Sequence, residues 1–174
     1  MGMFLLRNKP TELSADEVYK MIRIHGFYDI DKNPKAKGFA HQYKLQEIKG
    51  DKVVIDEISD IMWQQGGSPG AMEYESANKW IEKFKGKSYA GYSEWRLPTL
   101  EEAMSLMLHE KTTNGSYINP IFDKHQDWIW TSDLLTGEVQ AWVVNFYLGG
   151  CYYVDFFENK YVRAVRSGKS ATAE

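Results

Sequence analysis

The run Ala141 to Ser167, AWVVNFYLGGCYYVDFFENKYVRAVRS, decides the fold. Three β-type runs, Trp142 to Leu148, Cys151 to Phe157 and Tyr161 to Arg166, are separated by Gly149-Gly150 and by Glu158-Asn159-Lys160. That spacing predicts a tight antiparallel meander. Strand geometry sends successive side chains to opposite faces, so Tyr152, Val154 and Phe156 share one side while Cys151, Tyr153, Asp155 and Phe157 share the other. Neither side is polar. Such a strand is either buried on both faces or buried on one and offered to a partner on the other.

Outside this run, composition narrows the function classes. A chain of 174 residues with 43% hydrophobic content can bury one sizeable core, so one domain is expected. The net charge of -3 and the absence of any basic run argue against nucleic acid. A single cysteine, Cys151, rules out an internal disulfide framework and a cysteine-based zinc cluster. His25, His41, His109 and His125 show no helical pairing that would hold a metal, so neither metal nor cofactor is expected. The opening MGMFLL is cut short by Arg7-Asn8-Lys9-Pro10, too short for a secretion signal or a membrane span, which reads as a cytoplasmic or virion-associated chain. Six Trp and eleven Tyr exceed what a core of this size needs and point to a binding surface.

Working back toward the N-terminus, Leu13 to His25 has helical spacing, with Val18, Met21 and Ile22 on one stripe and a capping box from Ser14 to Glu17. Gly26 to Phe39 reads as a loop. Two strands, Tyr43 to Ile48 and Val53 to Asp56, flank a Lys49-Gly50-Asp51 turn, and a third runs from Ile61 to Gln65. Tyr74 to Lys85 predicts a second helix that packs through Ala77, Trp80, Ile81 and Phe84 and ends at Gly86. Leu100 to His109 predicts a third, with Thr99 and Glu102 as its capping box. Trp128 to Ser132 predicts a short aromatic strand, and Thr136-Gly137 turns the chain into the meander. Lys169 to Glu174 is expected to be disordered.

Five blocks now stand in order: Ile61-Met-Trp-Gln, Trp95-Arg-Leu-Pro-Thr, Ile129-Trp-Thr-Ser, Ala141-Trp-Val-Val-Asn-Phe and Tyr161-Val-Arg-Ala-Val-Arg. Over Val53 to Ser167 the chain resembles a bacterial and phage family that includes the C-terminal domain of a Legionella collagen-like adhesin and is related to the formylglycine-generating-enzyme branch of the C-type lectin fold. The resemblance implies an α+β, C-type-lectin-like domain spanning residues 1–168, with small twisted antiparallel sheets flanked by two helices. Residues 1–52 would be an N-terminal elaboration of the family core at 53–168.

Some proteins of this fold are variable proteins of diversity-generating retroelements. In those, codons of the Asn type mutated at their adenines yield Tyr, Phe, Leu, Cys, Asp, Gly, Val or Asn, and not Glu, Lys, Gln, Met or Trp. Tyr147, Leu148, Cys151, Tyr152, Tyr153, Asp155, Phe157 and Asn159 all fall in the permitted set and form the candidate ligand-binding residues. Glu158 and Lys160 would be fixed scaffold positions.

Enzymatic chemistry is not favoured. The formylglycine-generating activity uses a reactive cysteine pair, and only Cys151 is present. The Glu-Pro-Asn or Gln-Pro-Asp loop and the Trp-Asn-Asp strand of calcium-dependent lectins are missing too. Arg96, Arg163 and Arg166 read as scaffold cations that pair with a carboxylate or with loop carbonyls. His25 and His109, near helix ends, read as partners of the last carbonyls. Of the aromatic run, Phe146, Val154 and Phe156 are expected in the core, and Tyr147, Tyr152, Tyr153, Asp155 and Phe157 at the surface. Two classes stay open: a display domain whose C-terminal meander binds a macromolecular ligand, most naturally a protein, and a fixed structural or adhesin-type interaction module.

Overall fold

A computed structural model describes residues 5–168. Its elements run β1 (Glu12–Leu13), α1 (Ala15–His25), β2 (Tyr43–Ile48), β3 (Asp51–Asp56), β4 (Ile61–Gln64), α2 (Tyr74–Gly86), α3 (Leu100–Ser105), β5 (Trp128–Leu135), β6 (Gln140–Asn145), β7 (Gly150–Asp155) and β8 (Val165–Ser167). The tail from Lys169 to Glu174 lies outside the described residues. Two four-stranded sheets, in the orders β1-β5-β6-β7 and β2-β3-β4-β8, make an α+β, C-type-lectin-like fold. Among the described residues the strand pairings are antiparallel except β1 on β5, and the isolated Ile129–Tyr161 bridge is parallel too.

The helices start where local chemistry says they should. Ser14 and Glu17 close both halves of a capping box on α1, and Gly26 ends that helix in the left-handed region at φ 68. Thr99 and Glu102 do the same for α3. That third helix stops at Ser105, four residues short of the expected His109. The Ser105 carbonyl is taken by the His41 ring, and the Leu108 N–H turns away to the Tyr117 carbonyl at 2.8 Å. Tertiary partners thus claim the groups that another helical turn needs. His109 consequently sits beyond the helix, while His25 meets the Glu101 carboxylate at 3.0 Å.

The C-terminal run departs from a meander in two places. β6 ends at Asn145, where the side-chain Oδ1 accepts the N–H groups of Tyr147 and Leu148, both at 2.9 Å. This Asx turn lifts 146–149 into a loop that Gly149 closes at φ 88. The third expected strand never pairs with β7. Instead Lys160 bridges to Met72, Tyr161 to Ile129, and β8 pairs with β4, so the chain leaves one sheet and enters the other. Arg163 sits fully buried at this crossing and donates to the carbonyls of Gln65 and, at 2.7 Å, Asp123. Its guanidinium supplies the hydrogen bonds that a regular strand would have found in a neighbour.

β6 and β7 are buried on both faces at their centre. Trp142, Val144 and Cys151 join α1 and α3 in one cluster with Val18, Ile22, Leu100 and Met104. Val143 and Val154 join α2 in another with Ile81, Phe84, Trp95 and Trp130. Four of the tryptophans, Trp63, Trp95, Trp130 and Trp142, belong to the core. Three donate their indole N–H to distant carbonyls: Trp95 to Tyr89, Trp130 to Met72, and Trp142 to Leu13. The tryptophan content is therefore spent on the interior, and the exposed rings are Tyr and Phe.

Residues before the family blocks share this core rather than standing apart from it. Arg7 forms a two-pronged ion pair with the buried Asp133 at 2.9 and 2.6 Å, and Asp133 also accepts the N–H groups of Thr11 and Leu100.

Candidate functional site

Among the described residues β7 is an edge strand, with β6 as its only neighbour in the sheet. Its outward N–H and C=O groups alternate along the chain. At Cys151 both are satisfied from the Phe27–Asn33 loop, where the Asp29 carboxylate accepts the N–H at 3.1 Å and the Lys32 ammonium donates to the carbonyl at 2.9 Å. Asp29 is wholly buried and also accepts the N–H groups of Asp31 and Lys32. Gly150 permits this approach, because a Cβ there would lie 3.1 Å from the Asp29 Oδ2. At the far end, the Asp155 carbonyl accepts the Glu158 N–H at 3.1 Å. Between them Tyr153 faces outward and, among the described residues, its backbone has no partner on that side.

The eight candidate ligand-binding residues divide by depth. Tyr147 is 57% exposed, Tyr153 46% and Phe157 78%, with Leu148, Asp155 and Asn159 also at the surface. Tyr152 is half-buried, edge-on to Trp128 and within 5.5 Å of the Lys32 ammonium. Cys151 must be taken off the surface: it is fully buried behind the Asp29 loop, and burial pushes its thiol far above the ordinary range. It packs as a small apolar group and is out of a ligand's reach. Phe156, expected in the core, is half-buried instead.

The exposed members do not converge on a single pocket. Tyr147 enters a recess of about 340 Å³ with Ser116, His125, Asp127 and Tyr161. Tyr153 borders one of about 250 Å³ with Ala15, Lys32 and Trp142, its ring edge-on to that indole at 5.3 Å. Phe157 lines a third, of about 390 Å³, with Glu73, Tyr74, Glu75, Asn78 and Phe156. Six residues of strand at about 3.4 Å each separate the first recess from the last, so the arrangement is a ribbon of roughly 20 Å along the sheet edge. Sequence reasoning missed the walls of these recesses, which come from α1, α2 and the 113–127 loop. α1 and α2 are legible as helices, but no local pattern shows that they wall this edge.

Ser116, His125 and Asp127 share the first recess, but among the described residues the Ser116 hydroxyl has no hydrogen-bond partner, so the three are not linked as a nucleophile, base and orienting group. Arg96 is committed to a two-pronged pair with Glu102 at 2.7 and 2.8 Å, and Arg166 lies over the Tyr92 ring at 3.9 Å. Among the described residues no group of three or more His, Cys, Asp or Glu could hold a metal, and no helix is long and apolar enough to cross a membrane.

No curated protein and no solved structure matches the sequence. Residues 52–166, well over half of the chain, match the model of the Lcl C-terminal domain, taking in nearly all of β3 through most of β8, two of the recesses whole, and the Tyr153 recess except for Ala15 and Lys32. The chain belongs to the Lcl C-terminal domain family.

Proposed function

We propose that this chain is a binding module that meets a macromolecular partner, a protein, through the ribbon formed by the β6–β7 loop, the edge of β7 and the turn after it, without metal or catalysis. The observation that carries the reading is the concentration of exposed apolar side chains. Of ten large ones exposed among the described residues, Tyr147, Leu148, Tyr153 and Phe157 fall within eleven positions. Exposed tyrosines and phenylalanines on a rigid scaffold give large contact area at low entropic cost. Membership of the Lcl C-terminal domain family supports an adhesin-type interaction module.

A finer reading is that these positions are diversified by a retroelement. Of the two positions that adenine-directed mutagenesis cannot reach, Lys160 is buried over the Trp128 ring at 3.4 Å, as a scaffold position would be, whereas Glu158 is exposed and lies 3.4 Å from the Lys160 ammonium. The nucleotide sequence around the gene tests this. A near-copy of the codons for residues 147–159, differing at template adenines and lying beside a reverse transcriptase, supports diversification. Its absence makes the ribbon a fixed interface. A library at Tyr147, Leu148, Tyr153, Asp155, Phe157 and Asn159 tests the surface reading itself: most members keep their fold if these positions are free for binding, and lose it if they are structural.

A further inference from the structure

The recess at the end of β7 has a chemistry of its own. The Phe156 ring stacks on Tyr74 at 4.7 Å, and Tyr74 is held edge-on to the buried Trp130 at 5.1 Å. The Tyr74 N–H donates to the Phe156 carbonyl at 3.0 Å, and Asn78 donates its amide to the Tyr74 carbonyl at 3.0 Å. Floor and wall are thus fixed in place before anything binds. Phe157, 78% exposed, supplies the outer wall. Its rim carries two carboxylates, Glu73 and Glu75.

Aromatic faces and carboxylates around one hollow suit a cation on an apolar stem. Glu75 is partly committed to Lys79 at 2.9 Å, but that bridge is fully exposed and screened by water, and Lys79 lines the neighbouring recess with Trp80 and Lys83. The first turn of α2 adds about half a positive charge, less than either carboxylate offers. Glu73 makes no side-chain capping bond and no ion pair among the described residues. It is therefore the carboxylate available to a newcomer.

We propose that this recess takes an arginine side chain presented by the protein partner, with the guanidinium stacked against Phe157 and Phe156 and paired with Glu73. A planar guanidinium can do both at once; an ammonium cannot. The assignment rests on the ribbon being the binding surface, and gives the chemistry of one of its recesses.

The test is an NMR titration of the full chain with aromatic rings labelled, using N-acetyl-arginine methylamide against its citrulline counterpart, which keeps the shape and removes the charge. The arginine probe should saturably shift the Phe156, Phe157 and Tyr74 ring signals in the millimolar range, with citrulline about three- to tenfold weaker, the scale of one exposed cation–aromatic contact plus one carboxylate. Glu73→Gln should narrow the gap between the two probes to what the cation–aromatic contact alone supplies, and Phe157→Ala should weaken both, each with an unchanged melting temperature. Equal binding of citrulline and arginine overturns the proposal, as does the absence of any shift at Phe156 and Phe157. Shifts confined to Tyr147 or Tyr153 also overturn it while leaving the ribbon intact as a surface. Failure of the ribbon reading would instead appear in the ligand-free library, as loss of fold.

Discussion

The carboxylate of Asp29 accepts the backbone N–H of Cys151 across 122 positions of sequence, and Lys32 answers by donating to the carbonyl of the same residue. An early loop thereby does for β7 what a fifth strand would have done, at one residue only. The contact ties the N-terminal segment to the edge that carries the candidate surface.

Removing that contact should be costly. Asp29→Ala leaves three N–H groups without their acceptor and the partly buried Lys32 ammonium without the carboxylate that lies 3.5 Å from it, a loss of about 3 kcal/mol or more. Urea denaturation of wild type and variant measures the loss. Gly150→Ala should lose about 1–3 kcal/mol by pressing a methyl against the same carboxylate.

Acid should act through Asp56. Burial alone would raise its pKa, but hydrogen bonds from His41, Ser59 and the Gln42 N–H outweigh burial and lower it. A carboxylate with a depressed folded pKa stabilises the fold above its unfolded value of about 4, and that contribution disappears as pH falls through the folded value. The urea midpoint should therefore fall as pH drops below about 4, and Asp56→Asn should flatten that part of the profile while lowering stability at neutral pH.

Arg163 should resist conservative replacement. Burial pulls its pKa down to about 10, yet its planar fork still reaches carbonyls from two segments, Gln65 and Asp123. Lysine has no such fork. Arg163→Lys is expected to cost about 2–4 kcal/mol, close to Arg163→Met, because both leave buried carbonyls unpaired. Thermal unfolding of the two variants compares them directly.

Cys151 and its neighbours separate surface from interior. The native thiol should be inert to a disulfide reagent at pH 8 and react once the chain is unfolded, since burial keeps it protonated and out of reach. Cys151→Tyr, although a codon-level change of the diversifying kind, should cost about 3 kcal/mol or more by overpacking. Tyr153→Ser and Phe157→Ser should stay within about 0.5–1 kcal/mol of wild type.

These contrasts trace how far the sequence could be read. The capping boxes at Ser14 and Thr99 and the Lys49-Gly50 turn were legible because every group they need lies within four residues. Both turn residues take positive φ, 53 and 84, as a tight hairpin requires. The five family blocks carried the fold class. The end of β6 was misread because Phe146, Tyr147 and Leu148 have high strand propensity, whereas the decisive group was the Asn145 side chain folding back on its own backbone. Tyr161 to Arg166 looks identical whether it pairs with β7 or crosses to β4. What settles the matter is buried Arg163, whose acceptors at 65 and 123 no local pattern reveals. The burial of Cys151 was hidden for the same reason, its cover arriving from residue 29.

The clasp at Cys151 also bears on how these molecules behave in a crowd. An uncovered edge strand rich in tyrosine and phenylalanine is the kind of template on which identical chains zip together into fibrils. With Cys151 sealed by Asp29 and Lys32 and the Asp155 carbonyl taken by the Glu158 N–H, the open stretch among the described residues shrinks to Tyr153 and the N–H of Asp155, too short to nucleate a shared sheet. The aromatic side chains can then stay outside without making the backbone beneath them adhesive. A variant that loses Asp29 should accordingly be more prone to fibril formation than its lowered stability alone would explain.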